Sequence, residues 1–302
     1  MKKNNYAAID IGSNAARLLI KTVNMDSDKK EFKKQLMLRV PLRLGFDVFT
    51  SGKLSDKKAE QLKRLMKAFG QLMKIYEVNK YRACATSAMR DASNGIEIIK
   101  KIKKATGIKV EIIDGKEEAF IIYNNHVECI QDRTGNIAYV DVGGGSTEIN
   151  LLANGHLISS KSYNIGTVRL LNHSVEKDIW SQMENDLRQS IEGLSSIDII
   201  GSGGNINKLY RLASLSDNEK AEKRLSIQSL KLIYEELLPL TPEERMSIYN
   251  LKQDRADVIV PAAEVFLKIS EITNANFIYV PVIGLSDGII DELYTEDMNK
   301  QK

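Results

Sequence analysis

The chain has 302 residues, 43% of them hydrophobic and 27% charged, with a formal net charge of +3. That length holds two domains with real cores, in a composition typical of globular proteins. The near-neutral balance excludes a large nucleic-acid footprint, and no apolar run is long enough to span a bilayer. Lysine clusters such as Lys100-Lys101 and Lys103-Lys104 read as solvated faces. Cys84 and Cys129 show no paired-cysteine spacing, and an N-terminus that soon reaches Asp10 shows no signal-peptide core, so a cytoplasmic protein with reduced thiols is expected. His126, His156 and His173 are scattered, which argues against a zinc site.

In chain order, residues 6–10 and 15–23 read as strands around Gly12-Ser13-Asn14, and a third strand is expected at 34–43. Leu62, Leu65, Met66, Phe69, Leu72, Met73 and Tyr76 follow helical spacing, with Ser55 as N-cap. A strand at 81–86, a helix at 96–104, a strand at 110–113 and a helix at 117–128 complete the first half. The second half repeats the opening with strands at 136–142, 148–153 and 157–163, and Asn154-Gly155 as a hairpin turn. Helix 177–194, strand 197–200 and helix 206–212 follow, then a polar loop at 214–224. Thr241-Pro242-Glu243-Glu244 starts a helix with a capping box. A long helix at 254–272, with Pro261 kinking or breaking it, a strand at 277–280 and a helix at 287–293 end the chain. Alternating strands and helices predict an α/β architecture, with the boundary between halves at 124–133.

The segment Tyr139-Val140-Asp141-Val142-Gly143-Gly144-Gly145-Ser146-Thr147-Glu148 carries the most chemistry. Consecutive glycines let a backbone approach an anion and turn its N–H groups towards it. An acid on each side suits a divalent cation that neutralises phosphate oxygens. Ala8-Ile9-Asp10-Ile11-Gly12-Ser13-Asn14 is a shorter echo, so a duplicated phosphate-handling unit with a cleft between its halves is expected. Other residues keep two readings each. Gly203 and Gly204 suit either phosphate binding at a helix N-terminus or an ordinary strand-to-helix turn. Glu117 and Glu118 suit either catalysis or the helix dipole. Arg90 suits either a phosphate or a surface ion pair. Arg255 and Asp257 suit either a structural pair or a ligand role.

In order, these motifs resemble the exopolyphosphatase / guanosine pentaphosphate phosphohydrolase (Ppx/GppA) family over nearly the whole chain. The resemblance rests on Asp10-Ile11-Gly12-Ser13-Asn14 with Arg17, Arg43-Leu44-Gly45 and Ala85-Thr86-Ser87-Ala88-Met89-Arg90. Gly115-Lys116-Glu117-Glu118-Ala119, the 141–148 segment, Gly201-Ser202-Gly203-Gly204 and Arg255-Ala256-Asp257 continue it.

The resemblance implies two duplicated ribonuclease-H-like domains of the actin, sugar-kinase and heat-shock-chaperone superfamily, with an active-site cleft between them. The domains would be 1–125 and 126–302, the last helix able to pack back on the first, in the family's short two-domain form. Glu118 would be the general base, and Arg90, also catalytic, would stabilise charge on the transferring phosphate. Ser13, Asn14, Arg17, Gly143, Gly144, Gly145, Ser146, Thr147, Gly203 and Gly204 would bind phosphate. Asp141, Glu148 and Asp10 would hold Mg²⁺ or another divalent cation.

The implied reaction is water attack on the terminal phosphate of inorganic polyphosphate or guanosine pentaphosphate, the latter tied to the stringent response. No nucleic-acid or membrane partner is implied, and monomer or homodimer stays open. Rival readings are an ATP-dependent small-molecule kinase of the same superfamily and a non-catalytic guanosine tetraphosphate-binding regulator. The chain departs from the family pattern at Ala15, at Val260-Pro261-Ala262 and at Ser286, where a serine, glycines and an arginine are common.

Overall fold

The computed structural model describes residues 3–24, 31–129, 135–214, 216–281 and 283–301. The chain divides into two compact units, Met1–Asn125 with Leu285–Lys302, and His126–Gly284.

In the first unit β1 (Lys3–Ile11), β2 (Ala16–Asn24) and β3 (Phe32–Val40) form an antiparallel meander. The chain continues through α1 (Leu44–Ser51) and α2 (Asp56–Ile75) into β4 (Lys80–Ala85), which pairs parallel to β1. After α3 (Ser87–Asp91) and α4 (Gly95–Thr106) comes β5 (Val110–Ile112), completing the order β3-β2-β1-β4-β5, and then α5 (Gly115–Cys129).

Alternation along β1 separates two cores. Ala7, Ile9 and Ile11 pack with Leu62, Met66, Phe69 and Ile98 of α2 and α4. Tyr6 and Ala8 face the other way, in a cluster with Ile121 and Ile122 of α5 and Ile289 and Ile290 from the end of the chain. Asp10 shares the parity of Ala8 and so belongs to the α5 side.

The α2 stripe matches its spacing, and Ser55 Oγ accepts from the Lys58 N–H. The third strand stops at Val40 instead of running to Arg43, because Arg43 takes a left-handed conformation (φ 56°) and opens α1. The short α1 is held by burial of Leu44, Gly45 and Val48, and it is too brief for periodicity to reveal.

The second unit opens the same way with β6 (Ile137–Val142), β7 (Thr147–Ala153) and β8 (His156–Tyr163). Asn154 and Gly155 both have positive φ, as a tight hairpin requires. Next come α6 (Thr167–Leu171), α7 (Lys177–Ser190), β9 (Asp198–Ser202) and α8 (Gly204–Leu212). The expected polar loop at 214–224 is instead α9 (Asp217–Glu222) leading into β10 (Arg224–Ser226). A reciprocal Ser216–Glu219 capping box starts that helix.

After α10 (Ile227–Leu237) and the capped α11 (Pro242–Tyr249), the expected long helix is broken into α12 (Gln253–Ala256) and α13 (Ile259–Thr273). Pro261 lies in the first turn of α13, where its missing N–H costs nothing. β11 (Phe277–Tyr279) completes the sheet order β10-β11-β9-β6-β7-β8. The last helix, α14 (Leu285–Gln301), is longer than expected and belongs to the first unit.

One face of the second sheet carries Val140, Val142, Ile149 and Ile199, packed with Leu187, Leu209, Ile233 and Phe266. Asp141, Glu148 and Ser202, in register on β6, β7 and β9, therefore share the opposite face. No described helix is long and apolar enough to cross a membrane.

Candidate active site

The β1–β2 and β6–β7 hairpins are built alike. Gly12 N–H donates to Ala15 O at 3.1 Å, and Gly143 N–H to Ser146 O at 2.9 Å. Asp10 pairs in register with Arg17, and Asp141 with Glu148. The residue opposite the aspartate is thus a cation in one hairpin and a second carboxylate in the other.

In the first unit Arg17 Nη1 donates to Asp10 Oδ2 at 2.7 Å, and the aspartate side chain is 4% exposed. The first turn is tied to its surroundings through backbone and hydroxyl groups. Asn14 O accepts from Arg43 N–H and Ser13 O from Gly45 N–H, both at 2.8 Å. Ser13 and Ser87 share a buried hydroxyl–hydroxyl hydrogen bond of 2.8 Å. Thr86 N–H donates to Ile11 O and Ile113 N–H to Ala85 O, which aligns the carboxyl ends of β1, β4 and β5. Arg90, on α3, donates to Ile113 O at 2.9 Å, and its Nη1 lies 3.8 Å from Glu118 Oε2.

Glu117 and Glu118, adjacent in the first turn of α5, have different surroundings. Glu117 N–H donates to Asp114 Oδ1, and the Glu117 carboxylate accepts from Arg82 Nη2. Arg82 also donates to Glu111 and Glu292. Burial works against the Arg82 charge, but its anionic neighbours outweigh it and raise the guanidinium pKa. Glu118 is buried, with its side chain 11% exposed, and has Arg90 as its guanidinium neighbour.

In the second unit the glycine loop is held from behind by the start of α6. Thr167 N–H donates to Gly143 O, Val168 N–H to Gly144 O, and Arg169 Nε to Gly145 O. Ser146 and Thr147 are buried, and Thr147 Oγ1 donates to Ile165 O at 2.5 Å. Glu148 Oε1 accepts from Ser162 Oγ at 2.8 Å. Ser162, Glu148, Asp141 and Ser202 form one register row across β8, β7, β6 and β9.

Gly203 (φ 92°) has a packing reason to be glycine: a Cβ there would lie 2.5 Å from Asp141 Oδ1. At Gly204 a Cβ would collide with the Arg255 guanidinium, which itself donates to Asn205 Oδ1.

Among the described residues no three His, Cys, Asp or Glu side chains group as a metal cage. Mg²⁺ is commonly held by only one or two carboxylates plus substrate phosphates, and the Asp141–Glu148 register pair fits that mode. The Ser202 hydroxyl, in the same row, is buried and makes no hydrogen bond to a described residue, so the row has polar capacity in reserve. Asp10 differs because Arg17 already neutralises it.

Sequence reasoning did not single out Arg82, Gly166 or Arg169. A Gly-x-x-Arg spacing after a strand is too common to signal a loop support. The partners of Arg82, namely Glu111, Glu117 and Glu292, are distant in sequence.

The Ppx/GppA phosphatase family model matches residues 25–296. A bifunctional 3-dehydroquinate synthase/phosphatase of Fusobacterium nucleatum is 31% identical over 301 residues, taking in 92% of this chain and 45% of that protein. The chain thus spans less than half the length of that relative. Exopolyphosphatase 2 of Mycobacterium tuberculosis is 27% identical over 280 residues, covering 86% of this chain and 88% of the relative. The crystal structure of the Aquifex aeolicus Ppx/GppA family member superposes with a TM-score of 0.76 at 26% identity, covering 98% of this chain and 99% of that one. Two α/β units with repeated hairpins, and a family match over most of the sequence, lead to one assignment: the chain belongs to the Ppx/GppA phosphatase family.

Proposed function

We propose that the chain hydrolyses the terminal phosphoanhydride of a linear polyphosphate. The Arg90–Glu118 pair carries this reading: a buried carboxylate stands beside a guanidinium, while the neighbouring Glu117 is engaged by Arg82. Glu118 accepts a proton from water as the water oxygen bonds to the terminal phosphorus. The bridging P–O bond breaks, and the shortened chain leaves with the bond's electron pair. Arg90 neutralises charge on the transferring group. Ser13, Asn14 and the Gly144, Gly145 and Ser146 amides bind phosphate oxygens, and the Thr147 hydroxyl secures the loop through Ile165. When bound, Mg²⁺ at Asp141 and Glu148 supplies charge neutralisation.

Inorganic polyphosphate is the first substrate, in keeping with the name of the Mycobacterium tuberculosis relative. Guanosine pentaphosphate, which the resemblance of the motifs implies, is the second, and either suits a cytoplasmic enzyme. The test measures phosphate release from both, with Glu118→Gln as control. Hydrolysis by that variant at the wild-type rate would remove Glu118 as base, and no release by wild type from either substrate would reject the reading.

A further inference from the structure

The glycine loop has a polarity that its sequence alone does not set. Its three glycine carbonyls are all taken by one segment. Gly143 O accepts from Thr167 N–H at 3.0 Å, Gly144 O from Val168 N–H at 2.7 Å and Arg169 N–H at 3.3 Å, and Gly145 O from Arg169 Nε at 2.7 Å. In a trans peptide the C=O of one residue and the N–H of the next point in opposite directions, and the described residues contain no cis peptide. Carbonyls drawn towards α6 therefore turn the N–H groups of Gly144, Gly145 and Ser146 away from it. A glycine-rich loop is otherwise free to flip these peptides, because glycine tolerates either sign of φ.

Two features keep the loop in that state. Gly166 packs so closely that a Cβ on it would lie 2.5 Å from the Gly144 carbonyl carbon and collide with the Gly145 backbone. Arg169 is 8% exposed, so its guanidinium lies buried behind the loop and provides the side-chain bond to the last of the three carbonyls. An interior hydrogen bond from a charged donor is stronger than a neutral one. Its positive charge also lies on the side opposite the amides, where it adds to their attraction for an anion.

We infer that Arg169 is a positioning residue for phosphate binding: it holds the Gly145 carbonyl so that the Gly144, Gly145 and Ser146 amides stay aimed at a phosphate oxygen. This rests on the phosphate-binding reading of that loop. Arg169 acts through the loop and needs no contact with substrate.

The experiment uses Arg169→Lys and Arg169→Gly, with tripolyphosphate and Mg²⁺, and thermal melting to confirm folding. Arg169→Lys keeps charge and most of the volume but loses the planar Nε donor. Its kcat/KM is expected to fall about 10- to 100-fold, with the pH profile of the wild type because Glu118 is untouched. Arg169→Gly is expected to fall further and to recover part of its rate in millimolar ethylguanidinium, a rescue that a general packing defect would not show.

A folded Arg169→Lys variant within threefold of wild-type kcat/KM would overturn the inference. So would an Arg169→Gly loss that ethylguanidinium leaves unrestored. If wild type itself releases no phosphate, the functional reading fails instead, and the two failures are told apart.

Discussion

Arg17 donates to Asp10 at 2.7 Å across the first hairpin, and at the matching register of the second hairpin Glu148 faces Asp141. The same backbone device thus presents a neutralised acid in one unit and an acid pair in the other. Two carboxylates side by side repel unless a proton or a cation intervenes. The duplicated hairpins have diverged in charge at one position, and that position separates a self-satisfied turn from one suited to a divalent ion.

Magnesium dependence tests this division. Glu148→Gln is expected to raise the Mg²⁺ concentration for half-maximal phosphate release by about tenfold or more. Asp10→Asn removes a partner of Arg17 and should move that midpoint much less. Equal shifts for the two variants, read from Mg²⁺ titrations of phosphate release, would put Asp10 in the metal site as well.

The adjacent glutamates of α5 should separate just as clearly. Glu118→Gln is expected to lower kcat by about 10²–10⁴-fold, the range for loss of a general base. Glu117→Gln weakens an exposed pair with Arg82 and should cost less than about 1 kcal/mol in stability, with a much smaller loss of rate. Similar kcat losses in both variants would mean that the assignment of the base to Glu118 is wrong.

Much of this was readable from local pattern, and the failures have a common cause. The Ser55 cap, the α2 stripe and the Thr241 capping box are decided by neighbours in sequence, and each stands where spacing placed it. The capping box of α9 was equally local, as Ser216 and Glu219, but its polar surroundings masked it as a loop. The short α1 and α6 are stabilised by what buries them, which periodicity does not report. At the site, the glycines and acids were visible as motifs. Their division of labour was not, because Gly203 answers to Asp141, Gly204 to Arg255 and Glu117 to Arg82, all distant in sequence.

Gly203 offers a direct check of one such pairing. Gly203→Ala places a Cβ 2.5 Å from Asp141 Oδ1 at φ 92°. The backbone cost alone is about 1–3 kcal/mol, and Asp141 must also turn. Loss of stability in urea melts is expected together with a weaker Mg²⁺ response. A variant that loses stability but keeps the wild-type Mg²⁺ midpoint would show that Asp141 does not hold the ion.

Acid stability should carry the signature of Glu219. Burial pushes its carboxyl up, but the backbone N–H groups and hydroxyls of Ser216 and Ser226 outweigh that and hold it down at about 2. An unfolded glutamate titrates at about 4.3, so on acidification the unfolded chain takes up this proton first. The contribution of Glu219 is therefore complete above that pH and disappears as the pH falls towards 2. Glu219→Gln should be destabilised by about 1–3 kcal/mol near pH 6, with the gap to wild type narrowing as the pH falls below about 4. Urea midpoints that keep a constant gap across that range would contradict the low value.

Cys84 should behave as an inert core residue despite its place beside the candidate site. It stands in register between Asp10 and Glu111 on the sheet. A thiolate there would be desolvated and would face both carboxylates, against the attraction of Arg82, and burial pushes the thiol up to about 12. At pH 8 almost none of it is ionised, and only the thiolate reacts. In a Cys129→Ser background, native protein is expected to resist iodoacetamide at pH 8 and to be alkylated only as fast as it unfolds. Urea should therefore accelerate labelling in step with loss of secondary structure. Labelling of the folded protein at the rate of a free thiol would show that the row Arg17–Asp10–Cys84–Glu111 tolerates a further negative charge, and with it that Arg82 offsets the burial of Cys84.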